Sequence, residues 1–255
     1  MTEPVIVLVL LAAFGLVAGI GITAVGPGGV LATVGLFLLT DLPPAAVAGT
    51  AIVTNIATGV VGAFAYLRSG HLAEPSTART ARVLAGTAVV GTPVGVLVNL
   101  VVPGRLFGIL LASFVVFVAL LVWFRQRRAA EHDDRPPRLA MALLVGGGVA
   151  VAVVSGMFGV GGPLLTVPLL VAVGTPMLSA VAVAQVQSVI ISIVGAVGYL
   201  SQGSLDWHLA AVVGFPELCG VLIGWQLARR IPGRHLIRVM IVALLAVAPL
   251  LALHG

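Results

Sequence analysis

Apolar runs, most of them long enough to cross a lipid bilayer, follow one another along almost the whole chain, with polar sequence confined to the gaps. They cover residues 5–25, 30–40, 44–67, 81–102, 105–124, 139–158, 163–173, 178–200, 207–228 and 235–253. A spanning helix needs about 20 mostly apolar residues. Hydrocarbon offers no partner to a free backbone N–H or C=O, so helices are the natural way for such runs to cross. Only 8% of the 255 residues are charged and 60% are hydrophobic, whereas a soluble domain carries about 25% charged residues. A water-soluble enzyme and a nucleic-acid binder are excluded. The net charge of +5 does not rescue the second, because the arginines sit in short clusters between apolar runs. The reading is an all-α polytopic membrane protein whose solvent is the lipid bilayer.

Two runs are too short to span. Residues 30–40 and 163–173 give about 16 Å of helix at 1.5 Å per residue. Each follows a glycine cluster, Gly26-Pro27-Gly28-Gly29 in the first case and Gly159-Val160-Gly161-Gly162-Pro163 in the second. A shift of 133 residues aligns 26–72 with 159–205 without a gap, and 17 of the 47 positions are identical. Gly26, Gly28 and Gly29 fall on Gly159, Gly161 and Gly162; Thr33 falls on Thr166, Pro43 on Pro176, Tyr66 on Tyr199 and Gly70 on Gly203. Farther on, a shift of 129 puts Pro103-Gly104-Arg105 on Pro232-Gly233-Arg234. The chain reads as an internal duplication within one membrane domain. Residues 1–124 form the first repeat, 125–138 a cytoplasmic linker and 139–255 the second repeat, each repeat holding about five segments.

Arginines mark the cytoplasmic side. After the third segment the first half carries Arg68, Arg79 and Arg82; the equivalent loop of the second half, Ser201 to Asp206, has none. The next loop reverses the pattern, with Arg105 alone against Arg229, Arg230, Arg234 and Arg238. Equivalent loops thus face opposite sides, which favours ten crossings in two inverted repeats with both termini outside. The competing count treats the short segments as re-entrant and gives eight crossings in parallel repeats. The N-terminus lacks the basic region of a cleaved signal peptide, so its apolar run is read as the first membrane helix. All 13 basic residues are Arg, a bias expected of a GC-rich bacterial genome and hence of a bacterial cell membrane.

Glycine-broken short segments at matching positions of inverted repeats point to a transporter's binding site. A helix that restarts inside the membrane presents unpaired N–H groups and partial positive charge, which suits an anion. Gly26, Gly28, Gly29, Gly159, Gly161 and Gly162 are therefore candidate substrate-binding positions, with Pro163 well placed at a first helical position. Thr50, Thr54 and Thr58 recur at helical spacing, with Asn55 beside them. The second half offers Gln185, Gln187 and Ser188. Thr50, Thr54, Asn55, Gln185, Gln187 and Ser188 are candidate contacts to a small anionic substrate; Thr58, Ser179 and Ser192 are read as cross-helix hydrogen bonds. Gly15, Gly19 and Gly146 to Gly148 are read as packing positions. Glu217 is the one ionisable side chain deep in an apolar run. Such residues are costly and mark function, so it is the candidate proton-coupling group; the competing reading is a permanently neutral structural acid.

Other chemistries have little support. No His, Cys, Asp and Glu grouping has metal-ligand spacing and no phosphate loop is present, so neither a metal nor a cofactor is expected. Cys219 is alone. Ser155-Gly156 with a distant His is a weak trace of an intramembrane protease, and the chain is not read as an enzyme. An anion channel, with the helix breaks as its filter, is the alternative to a permease. Trp123, Trp207 and Trp225 read as interfacial anchors, and a homo-oligomer is compatible with all of this.

The stretches Gly26-Pro27-Gly28-Gly29, Leu42-Pro43, Ala48-Gly49-Thr50-Ala51, Gly62-Ala63-Phe64-Ala65-Tyr66 and Gly70-His71-Leu72 resemble the sulfite exporter TauE/SafE family of membrane permeases. Gly156-Met157-Phe158-Gly159-Val160-Gly161-Gly162 through Tyr199 and Gly203 is similar to that family's second repeat. The resemblance implies export or uptake of sulfite, thiosulfate or an organosulfonate such as sulfoacetate. The chain departs from the pattern at Val30 and Pro163, where the family often has a third glycine, and at Ala51, Val183 and Gln185. These departures bear on which anion fits.

Overall fold

The computed structural model describes residues 3–24, 27–68, 74–127, 137–230 and 233–253. Among them are ten α-helices and no strand. They are α1 (Val5–Ala24), α2 (Val30–Leu39), α3 (Pro44–Arg68), α4 (Pro75–Val101), α5 (Gly104–Arg127), α6 (Pro137–Phe158), α7 (Pro163–Ala172), α8 (Met177–Ser201), α9 (Trp207–Arg230) and α10 (Gly233–Leu253). A 3-10 turn, Pro27–Gly29, leads into α2. Seven of the helices contain a stretch long and apolar enough to cross a membrane, so the chain is a multi-pass membrane protein. The short helices α2 and α7 have 10 residues each, about 15 Å, or half of a hydrocarbon core. Neither can span alone.

The apolar runs give the helix bounds closely, with one clear difference. The fourth helix begins at Pro75, not at residue 81, because its first turns are polar. Pro75 takes a position where no N–H is needed. Just before it, the Glu74 carboxylate accepts from the Ser76 hydroxyl at 2.8 Å and the Thr77 hydroxyl at 3.3 Å. Most of the expected linker, residues 128–136, lies outside the described residues.

α1 packs along α9, α4 along α6, α3 on α8, α5 on α10, α4 on α8 and α3 on α9. Exchanging α1–α5 for α6–α10 turns α1/α9 into α6/α4 and α4/α8 into α9/α3, and leaves α3/α8 and α5/α10 as they are. α2 and α7 share one offset of 133 residues, as do α3 and α8. Two packed helix pairs are antiparallel. Gly49 lies against Tyr199 and Gly59 against Val189, so α3 and α8 are antiparallel; Gly108 near the start of α5 meets Leu251 near the end of α10. Each short helix folds back along its predecessor, Gly35 of α2 against Phe14 of α1 and Gly147 of α6 against Leu169 of α7.

Hydrocarbon supplies no hydrophobic force to press helices together, so close backbone approach must do the work. The two long crossings achieve it alike. Gly15-x-x-x-Gly19 on α1 meets Gly220-x-x-x-Gly224 on α9, and Gly91-x-x-x-Gly95 on α4 meets Ala152 and Gly156 on α6. A Cβ on Gly19 would collide with the Glu217 carbonyl, and one on Gly95 with the Val153 carbonyl. Gly15 and Gly19 thus pack as expected. Gly146 does not, since nothing lies within 4 Å of where its Cβ would be. Around α5, a cluster of rings (Phe37, Phe107, Phe114 and Phe158, centroids 5.0–5.6 Å apart) fills the space between the halves.

Gly95→Ala should lower the thermal unfolding midpoint in detergent by several degrees, since overpacking costs about 1–3 kcal/mol. Gly86→Ala on the same helix meets nothing within 4 Å and should leave the midpoint unchanged or raise it, because Ala gains about 1 kcal/mol of helix propensity. Equal losses from both would contradict this account of the crossing.

Candidate anion site

Breaking a helix inside a membrane leaves its last carbonyls without partners. At the end of α6 side chains from three other helices supply them. The Tyr199 hydroxyl of α8 donates to the Gly156 carbonyl at 2.8 Å, the Asn99 amide of α4 to the Met157 carbonyl at 2.6 Å, and the Asn55 amide of α3 to the Gly159 carbonyl at 3.1 Å. The chain turns at Gly159 with φ +69°, a left-handed conformation that glycine adopts without strain, and a Cβ there would also strike Ala48. Beyond the turn, the Gly162 N–H donates to the Ser188 hydroxyl oxygen at 3.3 Å. Gly162 is the N-cap of α7 and Gly29 the N-cap of α2.

The two helix starts meet. A Cβ on Gly29 would lie 3.7 Å from the Gly161 nitrogen and 3.2 Å from Asn55 Oδ1; one on Gly161 would lie 3.0 Å from Ser188 Oγ and 3.2 Å from Asn55 Oδ1. Between them is a small cavity lined by Gly29, Gly161, Asn55, Thr58, Gln185 and Ser188, with Ile22 and Leu164 beside them. Its volume is about 10 Å³, barely room for one water. Its polar side chains are buried and uncharged, Asn55 at 2% exposure and Ser188 at 3%. Neutral donors, backbone N–H groups and two positive helix ends converge on one point.

Of the residues expected at the site, Gly29, Gly161, Gly162, Asn55, Gln185 and Ser188 come together here. Others are placed elsewhere. Gly28 is packed into the backbone of α1 at Ala18 and Ile22. The Thr50 hydroxyl accepts from the Asp206 N–H at 3.1 Å, tying α3 to the start of α9. Gln187 is fully buried and faces away from the cavity; it accepts from the Thr166 hydroxyl and donates to the Gly148 carbonyl, locking α7 onto α8 and α6. Thr58, expected to bond across helices, instead lines the cavity and donates to the Asn55 carbonyl of its own helix. The Ser192 hydroxyl finds no partner among the described residues. Gly26 lies outside the described residues.

Glu217 is not in the cavity. It is fully buried on α9 where α9 crosses α1, and neither carboxyl oxygen has a hydrogen-bond partner among the described residues. Thr54 lies beside it, with its hydroxyl donating to the Ala51 carbonyl at 2.9 Å. Because Thr54 and Asn55 are consecutive on α3, the acid and the cavity touch the same turn of one helix. Among the described residues no group of His, Cys, Asp and Glu could hold a metal ion.

The family model for the sulfite exporter TauE/SafE matches residues 11–251, nearly the whole chain. The chain belongs to the TauE/SafE family. Among its relatives are the probable membrane transporter protein YdhB of Bacillus subtilis (strain 168), 24% identical over 220 residues, covering 84% of this chain and 87% of that one. Another, the probable membrane transporter protein MJ0441 of Methanocaldococcus jannaschii, is 27% identical over 158 residues, covering 58% of this chain and 56% of its own. No solved structure matches the chain. In this TauE/SafE member, Tyr199, Asn99 and Thr166 hold the break together, and sequence reasoning gave none of them that role. Tyr199 stood out only as a repeated position. For Asn99 the available signal was a lone amide in an apolar run.

The lock and the site should separate on mutation. Thr166→Val removes the hydroxyl that donates to the buried Gln187 oxygen and should cost about 1–3 kcal/mol of stability while leaving any bound anion its cavity contacts. Gly161→Ala pushes a methyl against Asn55 and Ser188 and should abolish anion binding with a smaller loss of stability. Unfolding midpoints and binding isotherms on the two variants check this.

Proposed function

We propose that this chain is a secondary permease that carries a small sulfur-containing anion such as sulfite, thiosulfate or an organosulfonate across the bacterial cell membrane by alternating access. The observation that carries the reading is the meeting of two helix starts, at Gly29 and Gly162, on one buried cavity with Asn55 and Ser188. Two half-membrane helices pointing their positive ends at a central site give an anion a partner for its charge where hydrocarbon gives none. The description of the family as sulfite exporters supports the choice of anion.

The architecture proposed is two inverted repeats of five helices, with both termini outside. The antiparallel pairing of α3 with α8 and of α5 with α10, helices at matching positions, supports the inversion. A cavity of about 10 Å³ is smaller than any sulfur oxyanion. Transport therefore requires α2 or α7 to separate from Asn55 and Ser188, which speaks for a gated carrier over an open anion channel.

Glu217 is proposed as the proton-linked group. A buried acid whose carboxyl oxygens find no hydrogen-bond partner among the described residues is tolerated in its neutral form, and its ionisation would disturb the α1–α9 crossing and, through Thr54, the turn of α3 that carries Asn55. Movement of the anion together with a proton, in whichever direction the gradients set, is the coupling proposed.

In proteoliposomes, saturable counterflow of labelled sulfite is expected, with net uptake driven by an inward proton gradient. Glu217→Gln should lower gradient-driven uptake at least tenfold while retaining sulfite-for-sulfite exchange. Non-saturating flux set by voltage, with no dependence on the proton gradient, would establish the channel instead.

A further inference from the structure

We infer that the cavity selects a singly charged oxyanion that keeps one O–H, a hydrogen-oxyanion such as hydrogensulfite, over fully ionised oxyanions and over sulfonates; this rests on the transport reading above. The starting point is the orientation of the Asn55 amide. Both of its N–H groups are engaged by carbonyls, Ala51 at 3.0 Å and Gly159 at 3.1 Å. Turning the amide over would set its oxygen against two carbonyl oxygens, so Nδ2 is fixed on that side. Oδ1 must then face the cavity, 3.2 Å from where a Cβ of Gly29 or of Gly161 would stand. No described donor reaches it. Facing the cavity, Oδ1 can be served by a water; a ligand that displaces that water has to bring a donor of its own or leave the oxygen unpaired, which is costly.

The opposite wall has the opposite polarity. Ser188 Oγ already accepts the Gly162 N–H, so its own proton is available to donate. It stands 3.0 Å from where a Cβ of Gly161 would stand, facing the same space as Asn55 Oδ1. The Gly161 N–H, with no backbone partner among the described residues, is a second donor. Asn55 and Ser188 are equivalent positions of the 133-residue shift, so the duplication has put an acceptor on one side and a donor on the other. Gln185 lines the cavity as well and can present either end of its amide. Thr58 cannot add a donor, because its hydroxyl is held by the Asn55 carbonyl.

Charge balance points the same way. No cationic side chain lines the cavity. The starts of α2 and α7 contribute roughly half a positive charge each, enough to balance one negative charge. A second would be buried without compensation. Once α2 or α7 has moved enough to admit it, a monoanion with one O–H satisfies every group, its O⁻ toward Ser188 and Gly161 and its O–H toward Asn55. Sulfate and thiosulfate bring a second charge and set a bare oxygen against Oδ1. Methanesulfonate has the right charge and a similar shape but offers Oδ1 a methyl group.

The test is equilibrium binding to the purified full chain in detergent, with sulfite, methanesulfonate and sulfate as probes at constant ionic strength. Sulfite should bind at least about tenfold more tightly than either of the others, since a site built around a ligand O–H rejects analogues lacking it. Half-saturation, expressed as total sulfite, should rise with pH in proportion to the loss of hydrogensulfite. Asn55→Ser exchanges the fixed acceptor for a hydroxyl that can donate or accept, and should bring the sulfite-to-methanesulfonate ratio toward one. Methanesulfonate or sulfate binding as tightly as sulfite, or sulfite binding that strengthens as pH rises, would overturn the inference while leaving the permease reading intact. Failure of all three anions to bind would overturn both.

Discussion

Every feature of this molecule that bears on an anion follows from one constraint. A backbone interrupted inside hydrocarbon must find partners for the groups the interruption frees. At the end of α6 the carbonyls of Gly156, Met157 and Gly159 are taken by Tyr199, Asn99 and Asn55, and the first N–H of the restart by Ser188. These four side chains come from α8, α4, α3 and α8, so satisfying the break also fixes the surrounding helices against it. Asn55 does two things with one amide. Its nitrogen closes the turn, and its oxygen is thereby turned inward to the cavity.

The halves match in layout and differ in chemistry. Both long crossings are glycine-spaced, both short helices run back along their predecessors, and both N-caps are glycines beside one cavity. The differences lie at matching positions. Gln187 and Thr166 form a buried lock in the second half, while the equivalent Thr54 stands beside Glu217 and the Thr33 hydroxyl has no partner among the described residues. Glu217 replaces what is Ala88 on α4. The second half thus carries both the Thr166–Gln187 lock and Glu217, and the acid reaches the first half only through Thr54 of α3 and its crossing with α1.

The sequence made the helices plain because their apolar runs are nearly uninterrupted, and it made the breaks plain because two glycine clusters stand beside two runs too short to span. Asn55 and Ser188 were visible as polar residues in apolar surroundings. Which polar residues reach the cavity was less legible. Gln187 and Ser188 are neighbours in sequence, yet about 100° apart around the helix, and only packing decides that Ser188 faces the break while Gln187 faces α6 and α7. Thr50 and Thr54 share a face with Thr58, but α9 covers them. Asn99 and Tyr199 act on carbonyls far away in sequence, and no local pattern marks a cap supplied across 40 or more residues. The net direction of α2 and α7 was likewise a matter of tertiary contact, since a ten-residue helix carries no signal of whether it continues or returns.

The central claim is that an anion sits where the two helix starts meet. The most direct measurement is anomalous diffraction from crystals of the full chain grown with selenite, a heavier analogue of sulfite. The account predicts the strongest selenium peak between Gly29 and Gly161, within hydrogen-bonding distance of Asn55 and Ser188. A strongest peak at any other position, or none at saturating selenite, would contradict it.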